Sequence, residues 1–207
     1  MIAKQKYLAL SGGIGGAKLV LGLSHVLAPE QLSVVANTGD DFQHFGLTVC
    51  PDIDTLMYTL SGLGNKELGW GREDESWNFM AACTELGMDT WFRLGDRDLA
   101  LHLYRTQRLA DGAKLTQITA ELCERLGIRV RVIPMSDMPA PTVVFTDRGE
   151  LSFQEYFVRY RCSPEIRELE YGGMNAAAMS PLFEQSLHDP ALQAVIICPS
   201  NPFLSIQ

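Results

Sequence analysis

The strongest constraint on this chain lies at its start. Tyr7 to Leu10 is a short apolar run that stops at Ser11-Gly12-Gly13. Apolar residues then recur at helical spacing from Gly16 to Leu27 (Leu19, Leu23, Val26, Leu27), and Pro29 stops the pattern. Leu32 to Ala36 is a second apolar run, ended by Asn37-Thr38-Gly39-Asp40-Asp41. A strand, a glycine turn, a helix and a second strand in that rhythm form a βαβ unit and predict a parallel sheet. In open sheets of this kind, ligands bind at the C-terminal ends of the strands.

The rest of the chain continues the pattern. Helices are expected over 51–63, 75–86, 99–109, 115–126 and, interrupted by Pro181, 174–187. Short strands are expected over 90–94, 129–134 and 194–198, and a β-hairpin over 142–146 and 151–158. The fold class is therefore α/β: a Rossmann-like, three-layer parallel sheet with a small helical and β-hairpin insertion. Residues 1–207 read as a single α/β domain. The final strand leads into Pro199-Ser200-Asn201-Pro202 rather than a helix, so a C-terminal portion is expected to be missing.

Composition narrows the function. The net charge is −8 and no Lys/Arg cluster occurs, which argues against nucleic acid as a partner. The five cysteines are scattered without a CxxC pair, so neither a disulfide framework nor a zinc site is expected. The N-terminus reaches glycine too soon for a signal peptide, and no apolar run reaches the ~18 residues that span a bilayer. The expected location is cytoplasmic, with no membrane partner.

Several motifs carry chemistry. In Ser11 to Lys18 (SGGIGGAK), Gly12, Gly13 and Gly16 would let backbone amides approach a phosphate at the helix N-terminus, with Lys18 as the first helical cation. A plain tight turn with a solvated lysine is the alternative. At the end of the second strand, Asn37, Asp40 and Asp41 would suit a hard, oxygen-liganded ion such as Mg²⁺, or else form an Asx turn. Asp52 and Asp54 stand two apart at a helix start, so on the helix they point about 200° apart and cannot share one site. One would be a cap and the other a ligand, or both would be caps. In FRLGDRDLA, Asp96, Arg97 and Asp98 alternate in charge, and Arg97 would either neutralise a substrate anion or join a self-contained ion-pair turn. Ser200 and Asn201 can donate to phosphate or to a base. The four histidines show no metal spacing and read as surface or core residues. Trp70, Trp77 and Trp91 read as core.

Taken together, these blocks resemble the 2-phospho-L-lactate transferases of deazaflavin coenzyme F-420 biosynthesis. The resemblance is carried, in order, by SGGIGGAK, VVANTGDDFQHFGLTVCPDIDTLMYTLSG, GWG, FRLGDRDLA, RTQRLADGAKLTQIT, VIPMSD, FQEYFV and PSNPFLSI. It implies transfer of a phospholactyl or phosphoenolpyruvyl group from a guanosine diphosphate-linked donor onto the hydroxyl of the deazaflavin Fo, with release of GMP and with Mg²⁺ as cofactor. By resemblance, Asp54 and Asp41 are the catalytic carboxylates, with Asp54 contacting Fo. Asp40, Asp41 and Asp54 hold the metal. Arg93 stands where some relatives carry an Fo-contacting lysine. Gly12, Gly13, Gly16, Ser200 and Asn201 hold the guanosine phosphates. Lys18, Asn37, Asp96 and Arg97 complete the expected substrate site, and a homodimer is the expected assembly. Family members continue well past PSNPxxSI. The alternatives are a nucleotide-sugar-binding regulator of the related gluconeogenesis-factor family, an inactive truncated relative, and, more weakly, a Rossmann dehydrogenase lacking its GxGxxG.

Overall fold

The computed structural model describes residues 5–67, 69–172 and 178–200. Its centre is a four-stranded parallel sheet in the order β5-β2-β1-β9, formed by β1 (Lys6–Ser11), β2 (Leu32–Ala36), β5 (Arg131–Pro134) and β9 (Leu192–Ile197). The register runs Tyr7 to Ser11 against Leu32 to Ala36, and Ser33 to Ala36 against Arg131 to Pro134.

Alternation along the strands assigns each residue to a layer. Ala9, Val34, Ala36 and Val132 pack with α1 (Gly13–Val26), α2 (Pro51–Ser61), α4 (Asp96–Ala110) and α5 (Leu115–Arg125) in the larger core. Leu8, Val35 and Ile133 face the other way, onto Leu182, Phe183 and Leu187 of the short helix α6 (Pro181–Leu187). The result is three layers, helix–sheet–helix, with a thin second helical layer. β9 is an edge strand, and its Val195 and Ile197 are exposed.

The chain runs β1, β2, β5 to one side and then returns to place β9 on the other side of β1. The sheet therefore reverses direction between β1 and β9, and such a switch point opens a crevice at the strand ends. The glycine turn after β1 and the Pro199-Ser200 turn after β9 meet there. A Cβ on Gly15 would lie 2.6 Å from the Pro199 carbonyl oxygen, and one on Gly16 would lie 2.5 Å from Ser11 Oγ. These glycines permit close packing of three backbone segments.

Two smaller sheets are added. β3 (Phe42–His44) and β4 (Leu47–Val49) form a hairpin that the sequence pattern did not reveal. Its turn is Phe45-Gly46, both at positive φ, in place of the usual Asn-Gly signal. β6 (Thr142–Thr146) pairs antiparallel with β7 (Gly149–Ser152) and with an unanticipated strand, β8 (Ile166–Tyr171). The expected second hairpin arm stops at Ser152, because Glu155 accepts from the Ser152 amide and hydroxyl and turns the chain into a π-helical turn over Glu155–Arg159. The expected strand over 90–94 is absent. Trp91 and Phe92 instead fill an aromatic cluster with Phe42 and His44, and the Phe92 carbonyl pairs with His44 Nε2 at 3.1 Å. Between α2 and α4 lies α3 (Asn78–Glu85). Part of the expected 174–187 helix falls outside the described residues.

A paired substitution in α1 tests the packing reading. Gly22 has open space where a Cβ would go, so Gly22→Ala is expected to stabilise by up to ~1 kcal/mol through helix propensity. Gly15→Ala gains the same propensity but forces the Pro199 turn away, and is expected to be net destabilising by ~1–2 kcal/mol. Urea unfolding of both variants measures the difference.

Candidate functional site

The site grows from the first turn of α2. Cys50 precedes the helix, Pro51 opens it, and Asp52 and Asp54 lie in its positive end. As their spacing requires, the two carboxylates point to different partners. Asp52 reaches across to α1: its Oδ1 accepts from the Gly13 amide at 2.6 Å, and its Oδ2 accepts from Asn37 Nδ2 at 2.8 Å. The Gly13 amide, expected to serve a phosphate, is thus taken by a protein carboxylate. In α1 this leaves Ile14 and Gly15 as the exposed first-turn residues whose amides have no intrahelical partner. Lys18 is exposed one turn further along.

Asp54 turns the other way, into a buried ion pair. Both of its oxygens accept from Arg105, a fully buried side chain on α4. Arg105 Nη1 also donates to the Thr48 carbonyl at 3.2 Å and to His102 Nδ1 at 3.3 Å. A guanidinium only donates, so Nδ1 of His102 carries the lone pair and Nε2 carries the proton. That Nε2 lies 3.2 Å from Asp98 Oδ2. The Tyr58 hydroxyl donates to the other Asp98 oxygen. Burial opposes the charge on Asp98, but the contacts from His102 and Tyr58 outweigh it and hold its carboxyl below the usual range. The ladder Tyr58–Asp98–His102–Arg105–Asp54 runs from α2 through α4 and back to α2.

The acidic turn after β2 forms the other half. Asn37 Oδ1 accepts from the Gly39 amide at 2.9 Å, the expected Asx turn, while its Nδ2 bridges Asp52 and Asp40. Burial, then the neighbouring charges of Asp52 and Asp41, push the Asp40 carboxyl up to about 8. Asp52 is raised chiefly by burial, against the lowering bonds from Asn37 and Gly13. Asp41 is raised well above the usual range by burial, and its Oδ1 is shielded from solvent with no partner. Ser11 Oγ and Thr38 Oγ1, at the ends of β1 and β2, are likewise buried and unpartnered. Among the described residues Asp40, Asp41, Asp52, Asp54 and Asp98 share Arg105 as their buried cation, so the site holds more carboxyls than it can neutralise, and burial favours the protonated form of Asp40, Asp41 and Asp52.

Several expectations need correction. Asp40, Asp41 and Asp54 do not form a metal triad: among the described residues, no three His, Cys, Asp or Glu side chains converge on a point where an ion would sit. The cause is Asp54, whose carboxylate is spent on Arg105. In this arrangement both oxygens of Asp54, expected as a catalytic carboxylate, are engaged by Arg105. Asp96 is a helix cap rather than a ligand. It accepts from Ser76 Oγ and from the amides of Phe79 and Asn78 at the start of α3, and these bonds lower its carboxyl to about 2. Glu75 reciprocates by accepting from the Arg97 and Asp98 amides at the start of α4. Arg97 itself is exposed. Ser200 lies beside the glycine turn, its Oγ 3.5 Å from where a Gly13 Cβ would be, and Asn201 lies outside the described residues.

A cleft of about 210 Å³ opens beside the ladder, lined by Trp70, Trp77, Arg72, Arg93, Glu75 and Asp98 among others. Arg93 stacks over the Trp77 ring at 4.1 Å. Trp70, expected in the core, is 46% exposed at this cleft. Tyr58, His102 and Arg105 were not singled out by sequence. Asp98, His102 and Arg105 do fall at i, i+4 and i+7 on one helix face, beside the apolar Leu101, and that spacing was the available signal.

The fold and site define a class: an α/β protein with a glycine turn at its switch point and a buried acidic cluster beside it. The comparisons give the family. Residues 8–207 match the family described as 2-phospho-L-lactate transferase CofD, and the chain belongs to it. A phosphoenolpyruvate transferase from Kitasatospora aureofaciens is 42% identical, over 97% of this chain and 64% of that protein. One from Thermobifida fusca is 41% identical, over 97% and 66%. The chain thus spans about two-thirds of the length of the curated relatives it matches. A crystal structure of a UPF0052 family protein from Bacillus halodurans superposes with a TM-score of 0.64, covering 98% of this chain and 61% of that one at 14% identity, and so shares the fold. No helix among the described residues is long and apolar enough to cross a membrane.

Two outcomes check the electrostatics. Asp54→Ala leaves Arg105 buried without its counter-charge and is expected to cost ~3–5 kcal/mol in denaturant unfolding, with much of it recovered by adding Arg105→Met. A carboxyl raised in the folded chain holds its proton more tightly there than when unfolded. Its stabilising contribution is full below the unfolded value of 3.8 and is lost as pH rises through about 8. In chelator, the melting temperature is therefore expected to fall between about pH 5 and pH 8, and Asp40→Asn to flatten that slope by up to ~1.4 kcal/mol per pH unit.

Proposed function

We propose that this chain carries the site of a transferase that moves a phosphoenolpyruvyl or phospholactyl group from a guanosine diphosphate-linked donor to the hydroxyl of the deazaflavin Fo. The hydroxyl oxygen forms the new bond to phosphorus, the bond to the bridging diphosphate oxygen breaks, and GMP leaves with that oxygen. The observation that carries the reading is the meeting, at one switch point, of the glycine turn, the Ser200 turn and the acidic cluster. The names of the relatives favour phosphoenolpyruvate as the transferred acid.

The residues divide by role. The Ile14 and Gly15 amides and the Ser200 hydroxyl face the donor's phosphates, with the positive end of α1 behind them. The Trp70–Trp77–Arg93 cleft suits a planar, electron-poor ring, because indole faces and a stacked guanidinium offer flat contact. Asp98 lines that cleft, kept ionised by His102 and Tyr58, and accepts a hydrogen bond from the acceptor hydroxyl to orient it.

Mg²⁺ fits this chain in a revised position. The orphaned Asp41 oxygen and the mutual repulsion that raises Asp40 both call for a cation. Asp40 and Asp52, bridged by Asn37, supply the one or two carboxylates with which Mg²⁺ is usually held beside substrate phosphates. When bound, the ion neutralises charge on the diphosphate. Asp40 and Asp52 would hold it, and the protein amides would align the donor.

The decisive assay mixes the chain with Fo, Mg²⁺ and each guanosine-linked donor and follows GMP. Release of GMP with formation of the phosphodiester of Fo is the expected outcome; folded protein giving none with any donor rules the reading out. Trp77→Ala is expected to raise the KM for Fo at least tenfold with little change for the donor.

A further inference from the structure

One block singled out in the sequence, FQEYFV, has no part in the mechanism above. Its second residue is Gln154, 6% exposed and two residues past the end of β7. Its flanks are firmly anchored. Phe153 and Tyr156 are buried with Val144 and Leu151 in the core of the antiparallel sheet. Ser152 and Glu155 bond each other reciprocally around it, and the chain then enters a π-helical turn. Single π turns of this kind often mark functional positions. The whole sheet is docked on the acidic turn: the Thr142 amide donates to the Gly39 carbonyl at 2.7 Å, and a Cβ on Gly39 would come within 2.9 Å of Thr142 Oγ1.

Gln154 reaches across this junction. Its Nε2 donates to Asp40 Oδ2 at 3.4 Å, while Asn37 Nδ2 donates to Asp40 Oδ1 at 3.3 Å. Each Asp40 oxygen therefore meets one neutral amide. A lysine or arginine at either place would cancel the carboxylate's charge. Two neutral, long hydrogen bonds fix its direction without supplying a counter-charge.

We propose that Gln154 is a positioning residue: from the antiparallel sheet it orients the Asp40 carboxylate for cation binding. Its consequence for a cation rests on the Mg²⁺ reading given above, while its contact with Asp40 does not.

The test uses Gln154→Leu and Gln154→Met, which keep the volume and lose the donor, with circular dichroism to verify folding. Two readouts are taken. With isotope-labelled aspartate, the Asp40 carboxyl resonance is identified by its loss in Asp40→Asn, and it is expected to move in both Gln154 variants. With Mn²⁺ as the probe ion and GDP present, electron paramagnetic resonance is expected to show affinity at least ~10-fold weaker in both variants, and no further loss when they are combined with Asp40→Asn. An unmoved resonance in folded variants overturns the proposal, as does wild-type Mn²⁺ affinity. A moved resonance in a chain whose wild type binds no Mn²⁺ upholds the positioning contact and refutes the Mg²⁺ reading instead.

Discussion

A guanidinium with no exposed surface must have its charge answered where it lies. Arg105 is such a group, and its answer is Asp54 in the first turn of α2, with the Thr48 carbonyl of β4 as a second acceptor. One side chain thus ties α4, α2 and the β3–β4 hairpin together. Because Asp54 is held by Arg105, the start of α2 cannot rotate, and Asp52 two residues earlier is held against Gly13 and Asn37. The conformation of the glycine turn and of the acidic turn after β2 follows from that one buried pair. Replacing such a pair by apolar residues is often neutral for stability, so its value here lies in fixing which way the α2 carboxylates face.

The same arrangement explains the surplus of carboxyl groups. Arg105 serves Asp54, and His102 serves Asp98. Among the described residues Asp40 and Asp52 meet the neutral donors Asn37, the Gly13 amide and Gln154, while Asp41 accepts from the Cys50 thiol and feels Arg105 from a distance. Burial then raises all three carboxyls. A protein selected for stability alone would place a lysine there. Carboxylates kept unpaired at the ends of parallel strands are what an exchangeable cation and a phosphorylated ligand require.

Much of this was legible in the sequence. The βαβ opening and the parallel sheet follow from apolar periodicity and from glycines placed at strand ends, whereas the pairing of the glycine turn with the Ser200 turn was implied by the family resemblance. The opposite directions of Asp52 and Asp54 follow from helical geometry alone. Other parts were hidden for identifiable reasons. Phe45-Gly46 makes a hairpin turn without the usual residues. Asp96 and Glu75 cap helices across a gap of some twenty residues, which no local pattern encodes. Asp98, His102 and Arg105 look like a solvated charged stripe until the fold turns that face inward. The resemblance singled out Asp54, but its partner Arg105 stands on another helix, so its engagement was invisible.

Asp52 also changes what the glycine turn can do. A carboxylate already sits on the Gly13 amide, so an incoming phosphate is displaced outward along the first turn, toward Ile14 and Gly15. Those two residues are exposed, whereas Gly16 is buried against Ser11. Gly15 in turn packs on the Pro199 carbonyl, next to Ser200. The anion is therefore drawn to the β9 side of the switch point, while Asp40 and Asp41 stand after β2 on the other side of β1. A phosphate there meets Asp52 as a like charge across the glycine turn, and that repulsion is relieved only if a cation lies between them. On the proposed function, the glycine turn and the acidic cluster would act as two halves of one ion-bridged site.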